Sequence, residues 1–168
     1  MRVCGGRKVA SEHLSFEAPW PLATLQRADI IVVPGIDSVD RSVPEGVIRA
    51  LRRAIAAGAR AASICTGAFV LARSGVLKGL KATTHWLVAK ELARRYPEID
   101  VDPDVLYVAN VRILTSAGAA AGLDLCLHLV RRDLGAEIAA HAARVAVMPL
   151  ERAGDKPNLS EVAAIPAE

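Results

Sequence analysis

The sequence predicts an α/β domain built on a mostly parallel central sheet, and three observations carry that prediction. The run ADIIVVPG, Ala28 to Gly35, holds four consecutive apolar residues, Ile30 to Val33, stopped by Pro34-Gly35. A second run opens AASICTGAFVLA, Ala61 to Ala72, and stops at Cys65-Thr66-Gly67. Between them lies a stretch with helical periodicity. Strands covered on both faces read as continuous apolar runs, and two of them joined through a helix form a βαβ unit, expected to be right-handed. The loops that end such strands are where α/β proteins hold small ligands or present a nucleophile.

Each element follows from local chemistry. Arg2 to Cys4 reads as the end of a strand, Gly5-Gly6-Arg7-Lys8 as a turn, and Val9 to Phe16 as a weakly alternating segment broken by Pro19 and Pro21. Leu22 to Ala28 leads into the Ile30 strand and leaves little room for a full crossover helix. Pro44 and Glu45 mark a helix start, and Val47, Ile48, Leu51, Ala54 and Ile55 recur at three and four until Gly58 stops the helix. A further helix runs from Thr66 or Gly67 to Ser74, followed by a turn at 75–79 and a short extended segment from Leu80 to Thr83. His85 to Tyr96 is helical, with Leu87, Val88, Leu92 and Tyr96 on one side and Pro97 ending it. Val105 to Val108 and Val111 to Thr115 are short strands around Ala109-Asn110. Ala119 to Arg132 is a strongly apolar helix, Gly135 separates it from Ala136 to Val147, and Pro149 ends the last. Residues 1–150 thus form one domain, and 151–168 read as a loose tail or linker stub.

Composition narrows the function classes. At 168 residues the chain suits a single core. With 52% hydrophobic but only 4% aromatic residues, that core is aliphatic and offers few stacking surfaces for bases or sugars. The net charge of +3 is a mild excess, and Arg52-Arg53, Arg94-Arg95 and Arg131-Arg132 read as solvated helix faces rather than a nucleic-acid stripe. Three cysteines without a close pair fit neither a disulfide scaffold nor a CxxC site, so a reducing, cytoplasmic setting is expected. No apolar run reaches membrane-spanning length. The histidines lack metal-ligand spacing, and neither metal nor cofactor is expected.

Cys65 is the principal candidate for chemistry. At a helix N-terminus a thiolate is stabilised by backbone N–H groups, and those of Thr66, Gly67 and Ala68 offer an oxyanion or carboxylate site; the alternative is a small core hydrophobe. Thr66 cannot act as a base, so a partner would have to be His85, held by a Thr83-Thr84 cap; the structural alternative stacks His85 on Trp86. Thr115, Ser116 and Gly118 form a second constellation at a strand end, with Asp124 in the next helix either orienting His85 or serving solubility. Gly35 ends the neighbouring strand. Cys126 falls in the apolar stripe of its helix and reads as core, and Cys4 lies near the start.

The stretches VVPG at 32–35, SICTGAFVLARSGVLKGLKATTHW at 63–86 and LTSAGAAAGLDLCLHLVRRDLGAEIA at 114–139 resemble the ThiJ/PfpI superfamily and, more narrowly, the ligand-sensing N-terminal domain of AraC-type transcriptional regulators. The resemblance implies a class I glutamine amidotransferase-like, flavodoxin-like three-layer sandwich, with Cys65 at the nucleophile elbow. Protease members place histidine where this chain has Thr66, which speaks against proteolysis. Isonitrile hydratases share the CTG motif and an ATSHW-like segment, so Cys65-Thr66-Gly67 and Ala82 to Trp86 do not separate enzyme from sensor. The chain starts at what resembles the family's second strand, and it ends at Glu168 where the regulators continue into helix-turn-helix units. The resemblance therefore implies a sensing or regulatory domain that binds a small polar metabolite through Gly35, Cys65, Thr66, Gly67, His85, Thr115, Ser116 and Gly118. It is expected to form a homodimer and to bind neither membrane nor, by itself, specific DNA. The alternatives are a Cys65-dependent isonitrile hydratase-like or amide hydrolase-like enzyme, and a degenerate member without ligand or activity.

Overall fold

In a computed structural model of the chain, residues 8–10 and 15–150 are described. Arg2 to Cys4, the Gly5-Gly6-Arg7 part of the expected turn, and the tail 151–168 lie outside them. Lys8 itself belongs to β1 (Lys8–Ala10), which pairs antiparallel with β2 (Ser15–Glu17).

The main sheet holds β3 (Ile30–Val33), β4 (Arg60–Ile64), β7 (Tyr107–Ala109) and β8 (Ile113–Ser116) in the order β3-β4-β8-β7. The first three are parallel, with Val33 opposite Ser63 and Ser63 opposite Thr115, so their C-terminal ends share one edge. Only β7 is antiparallel, joined to β8 by the expected turn at Ala109-Asn110, where the Asn110 side-chain amide donates to the Lys81 and Ile113 carbonyls. A small parallel pair, β5 (Lys81–Ala82) with β6 (Asp100–Val101), lies outside this sheet.

Helices cover both faces, as a parallel sheet requires. On one face Ala61 and Ile113 pack with Leu51 and Ala54 of α1 (Glu45–Ala56), Phe69 and Leu71 of α2 (Ala68–Arg73), and Leu92 of α3 (Trp86–Arg95). On the other, Ala62 and Leu114 meet Leu125 and Leu129 of α4 (Ala119–Leu134), which in turn packs on α5 (Ala136–Val145). Side chains such as Leu51, Leu71, Leu92, Leu114 and Leu125 are fully buried, each contributing about 1.5–3 kcal/mol of apolar burial. The small residues at Ala61 and Ala62 let helices approach the sheet closely, which explains a core with so few aromatics.

Several expectations are corrected in detail. Leu22–Arg27 is a 3-10 helix, not merely a lead-in to the strand. The helix expected from Thr66 begins as a 3-10 turn, Cys65–Gly67, and becomes α-helical only at Ala68. Leu87 does not join the buried side of α3: it is 66% exposed, and Ala89 with Leu92 faces the core instead. Cys126 is not core but exposed. The sheet-facing stripe of α4 runs through Ala121, Gly122, Leu125 and Leu129, and Cys126 stands one step around the helix from it.

Candidate functional site

Cys65 leaves β4 in the left-handed backbone region, with φ +56°, where a residue bearing a Cβ is strained by about 1–2 kcal/mol. Such a conformation persists only where its surroundings over-determine it, and here three contacts do so. Thr66 Oγ1 donates to the Ile36 carbonyl and accepts from the Ile36 N–H, both at 2.8 Å. Thr84 Oγ1 donates to the Cys65 carbonyl at 2.9 Å. Gly67 packs so tightly on the end of β3 that a Cβ there would sit 2.6 Å from the Val33 and Pro34 carbonyl oxygens.

The neighbours before and after the turn are fitted just as closely. A Cβ on Gly35 would lie 3.6 Å from Cys65 Cβ and 3.3 Å from Thr66 Oγ1, so the chain leaving β3 runs directly beside the cysteine. On the other sheet face Gly122 of α4 seats on Ile64, the residue before Cys65, with Ile64 Cγ2 2.9 Å from where a Cβ would stand. Cys65 itself is half-buried.

His85 approaches from α3 and Gly118 from the start of α4; a Cβ on Gly118 would be 3.8 Å from His85 Cδ2. The imidazole caps α3, its Nδ1 accepting from the Leu87 N–H at 3.4 Å, and its ring lies 5.8 Å from that of Trp86, inclined at 29°. The cap therefore belongs to His85 rather than to Thr83-Thr84: both are fully buried, Thr84 Oγ1 donates to the Cys65 carbonyl, and Thr83 Oγ1 has no hydrogen-bond partner among the described residues. Among the described residues no hydrogen bond joins the Cys65 thiol to the imidazole.

The predicted ligand set thus divides. Gly35, Cys65, His85 and Gly118 gather at the C-terminal edge of the sheet. Thr115 and Ser116 do not present hydroxyls there, because both are fully buried and joined to backbone: Thr115 Oγ1 accepts from the Thr83 N–H at 2.8 Å, and Ser116 Oγ donates to the Ser63 carbonyl at 3.1 Å. Thr66 spends its hydroxyl on Ile36, and Gly67 has its Cα against β3. The Ala68 N–H, expected as an oxyanion donor, is occupied by the Cys65 and Thr66 carbonyls. Asp124 is buried rather than on a solvated face.

Thr84, expected as half of the α3 cap, instead fixes the cysteine turn through the Cys65 carbonyl, and Ile36 and Gly122 shape the site without a signal of their own in the sequence. An Ala-Thr-Thr-His string carries no periodicity to say which hydroxyl turns inward, and a backbone clamp at Ile36 leaves no mark on its side chain. Away from this edge, a polar cleft of about 460 Å3 lies beside the opposite ends of β3 and β4, lined by residues including Gln26, Arg27, Asp29 and Arg60. It touches none of the predicted site residues. His128 lies far along α4, 3.5 Å from the Tyr107 hydroxyl, its pKa lowered by burial and then by the Arg132 and Arg131 charges. Among the described residues, no helix is long and apolar enough to cross a membrane.

Comparison with known proteins places this geometry among relatives. The model of the DJ-1/PfpI family matches residues 6–132. The HTH-type transcriptional regulator CdhR of Pseudomonas aeruginosa is 32% identical over 145 residues, covering 86% of this chain and 43% of that protein. An isonitrile hydratase of Pseudomonas putida is 35% identical over 112 residues, covering 66% of this chain and 48% of the enzyme. The chain thus spans less than half the length of either curated relative. Among solved structures, an AraC family transcriptional regulator from Pseudomonas putida superposes with a TM-score of 0.73 at 26% identity, covering 84% of this chain and 77% of that one. A ThiJ/PfpI family protein from Pseudomonas syringae gives 0.71 at 26% identity, covering 98% and 72%.

Proposed function

The chain belongs to the DJ-1/PfpI family, and from that membership we propose that it is a small-molecule-sensing, regulatory domain of the kind carried by AraC-type transcriptional regulators, to which it is related. The site is the cysteine turn at the nucleophile-elbow position, with Cys65, Gly35, His85 and Gly118 facing a small polar or amide-bearing metabolite.

The observation that favours sensing over catalysis is the commitment of His85. A nucleophilic cysteine normally works with a base within hydrogen-bond reach, whereas the His85 Nδ1 accepts from the Leu87 N–H and, among the described residues, no hydrogen bond joins the imidazole to Cys65. Thr66, which follows Cys65, spends its hydroxyl on Ile36. A polar ligand can use the imidazole as a hydrogen-bonding wall without any proton transfer.

Five of the arginines speak for a regulatory domain that does not itself grip DNA. Arg41, Arg49, Arg60, Arg94 and Arg95 are each paired with a carboxylate, so they offer no unpaired cationic stripe for phosphates. Homodimerisation belongs to the same reading and is supported by exposed Leu123, Leu134 and Ile138 on α4 and α5. Light scattering is expected to give about twice the 17.7 kDa chain mass, and a monomer at micromolar concentration counts against the dimer. A cytoplasmic location goes with the role.

The deciding experiment presents purified protein with a panel of isonitriles and small amides, following both heat stability and product formation, with Cys65→Ala as control. Saturable stabilisation without turnover is expected. Cys65-dependent turnover of an isonitrile or amide would overturn the sensing reading in favour of the hydratase or hydrolase, and absence of both effects across the panel would leave the degenerate member as the better account.

A further inference from the structure

We infer that Arg95 is a positioning residue that latches the loop 34–44 against the body of the domain and so limits access to Cys65. The sequence presents Arg94-Arg95 as a solvated pair. Arg94 fits that reading, being exposed and, among the described residues, hydrogen-bonded to Glu91 of its own helix. Arg95 does not.

Its guanidinium reaches across to the loop between β3 and α1. Nη1 donates to the Val39 carbonyl at 3.0 Å, Nη2 bonds the Asp40 carboxylate, and Nε donates to Glu91 Oε1 at 2.5 Å. The same guanidinium lies 5.9 Å from the centroid of Phe69, which sits on α2 one turn beyond Cys65. One side chain therefore ties together α3, α2 and the middle of the loop, using all three of its nitrogens.

What the loop does at its other end gives this arrangement a consequence for the cysteine. The chain leaves β3 through Gly35, beside Cys65 Cβ, and is clamped one residue later where Thr66 Oγ1 takes both polar groups of Ile36. Ile36, Val39 and Val43 are only partly buried against the core, and the remaining side chains of 37–42 are exposed. Few apolar contacts hold such a segment, so its local opening is governed by its polar anchors. The anchors are Thr66 next to the cysteine and Arg95 at the crown. With Arg95 removed, Thr66 is left as the side-chain hydrogen-bonding anchor of the loop to the body of the domain, and the stretch that passes Cys65 at Gly35 opens more readily.

The experiment is peptide-resolved alkylation of the folded chain, with Cys126 as internal reference and Asp40→Ala, Arg95→Met and their double variant compared with the parent. Asp40 is 76% exposed, so Asp40→Ala removes the acceptor, leaves packing untouched and decides the matter even where Arg95→Met folds poorly. A severalfold faster labelling of Cys65 is expected in each single variant, with Cys126 unchanged and the double variant no faster than Arg95→Met. Unchanged Cys65 rates would overturn the latch. So would a parallel rise at both cysteines, which marks general loosening of the fold. No metabolite enters this assay, so its failure and the failure of the sensing reading are separately visible.

Discussion

Thr66 and Ile36 hold each other through both polar groups of the Ile36 backbone, at 2.8 Å in each direction, across the mouth of two parallel strands. A threonine hydroxyl here does what an extra rung of sheet would do, closing the β3 exit onto the cysteine turn. Thr66→Val keeps the shape and removes both bonds, which is expected to cost about 1–2 kcal/mol, while Thr66→Ser retains them and most of the stability. Urea unfolding of the two variants checks this. Equal stability of Thr66→Val and the parent would deny the clamp any energetic role.

Thr83 presents the opposite case. Its Oγ1 is fully buried without a hydrogen-bond partner among the described residues, while its N–H donates to Thr115 Oγ1. Leaving a hydroxyl desolvated and unpaired costs about 1–3 kcal/mol, so Thr83→Val is expected to raise stability, with the backbone bond to Thr115 intact. A urea midpoint below that of the parent would show that the hydroxyl is satisfied in solution.

The large-scale order of the fold was legible because it rests on strong local patterns. Ile30 to Val33 has no polar interruption, the α1 stripe from Val47 to Ile55 has a clean period, and Pro34 and Gly58 punctuate both. The site was legible in position but not in role. Cys65 could be placed at a strand end from its flanking sequence, whereas the burial of Thr115 and Ser116, on opposite faces of β8, follows from β8 lying between β4 and β7 with helices over both faces, a fact of topology rather than of composition. Cys126 went astray for a related reason: in a helix as uniformly apolar as 119–134, periodicity cannot tell Leu125 from its neighbour. Arg95 reads like Arg94 until the loop it grips is in place.

Gly67 and Gly122 look alike in sequence and differ in what surrounds them. A Cβ at Gly67 would meet backbone oxygens of Val33 and Pro34 at 2.6 Å, and neither can move without breaking the β3 end. A Cβ at Gly122 meets the Ile64 side chain, which can change rotamer. Gly67→Ala is therefore expected to cost more than about 3 kcal/mol or to prevent folding, and Gly122→Ala about 1–3 kcal/mol. In the background of Ile64→Ala the Gly122→Ala cost is expected to fall away. A double-mutant cycle with no coupling would contradict the contact.

Acid should loosen the α3 surface before the core. Hydrogen bonds from Arg94 and then Arg95 hold the Glu91 carboxyl down at about 2, against an ordinary value of 4.5. The folded chain thus binds this proton less readily than the unfolded one, so the contribution is full above the ordinary carboxylate range and is lost as pH falls from 4.5 toward 2. Glu91→Gln is expected to flatten the stability profile within that window and leave its neutral-to-alkaline shape unchanged. Parallel acid profiles for variant and parent would remove Glu91 as a source of the slope.

The strained turn itself makes the last prediction. At φ +56° a side chain opposes the backbone, costing about 1–2 kcal/mol, while glycine carries no such penalty but loses about 0.5–1 kcal/mol through the extra freedom of its unfolded chain. Comparing Cys65→Gly with Cys65→Ala removes the thiol from both sides and leaves only these two effects. The strain is the larger, so Cys65→Gly is expected to be at least as stable as Cys65→Ala, the reverse of the order found at an ordinary helix or strand position. Thermal and urea unfolding of the two proteins under identical conditions give the difference. An alanine variant more stable by the usual margin would mean that the turn relaxes in solution and that Cys65 is held without strain.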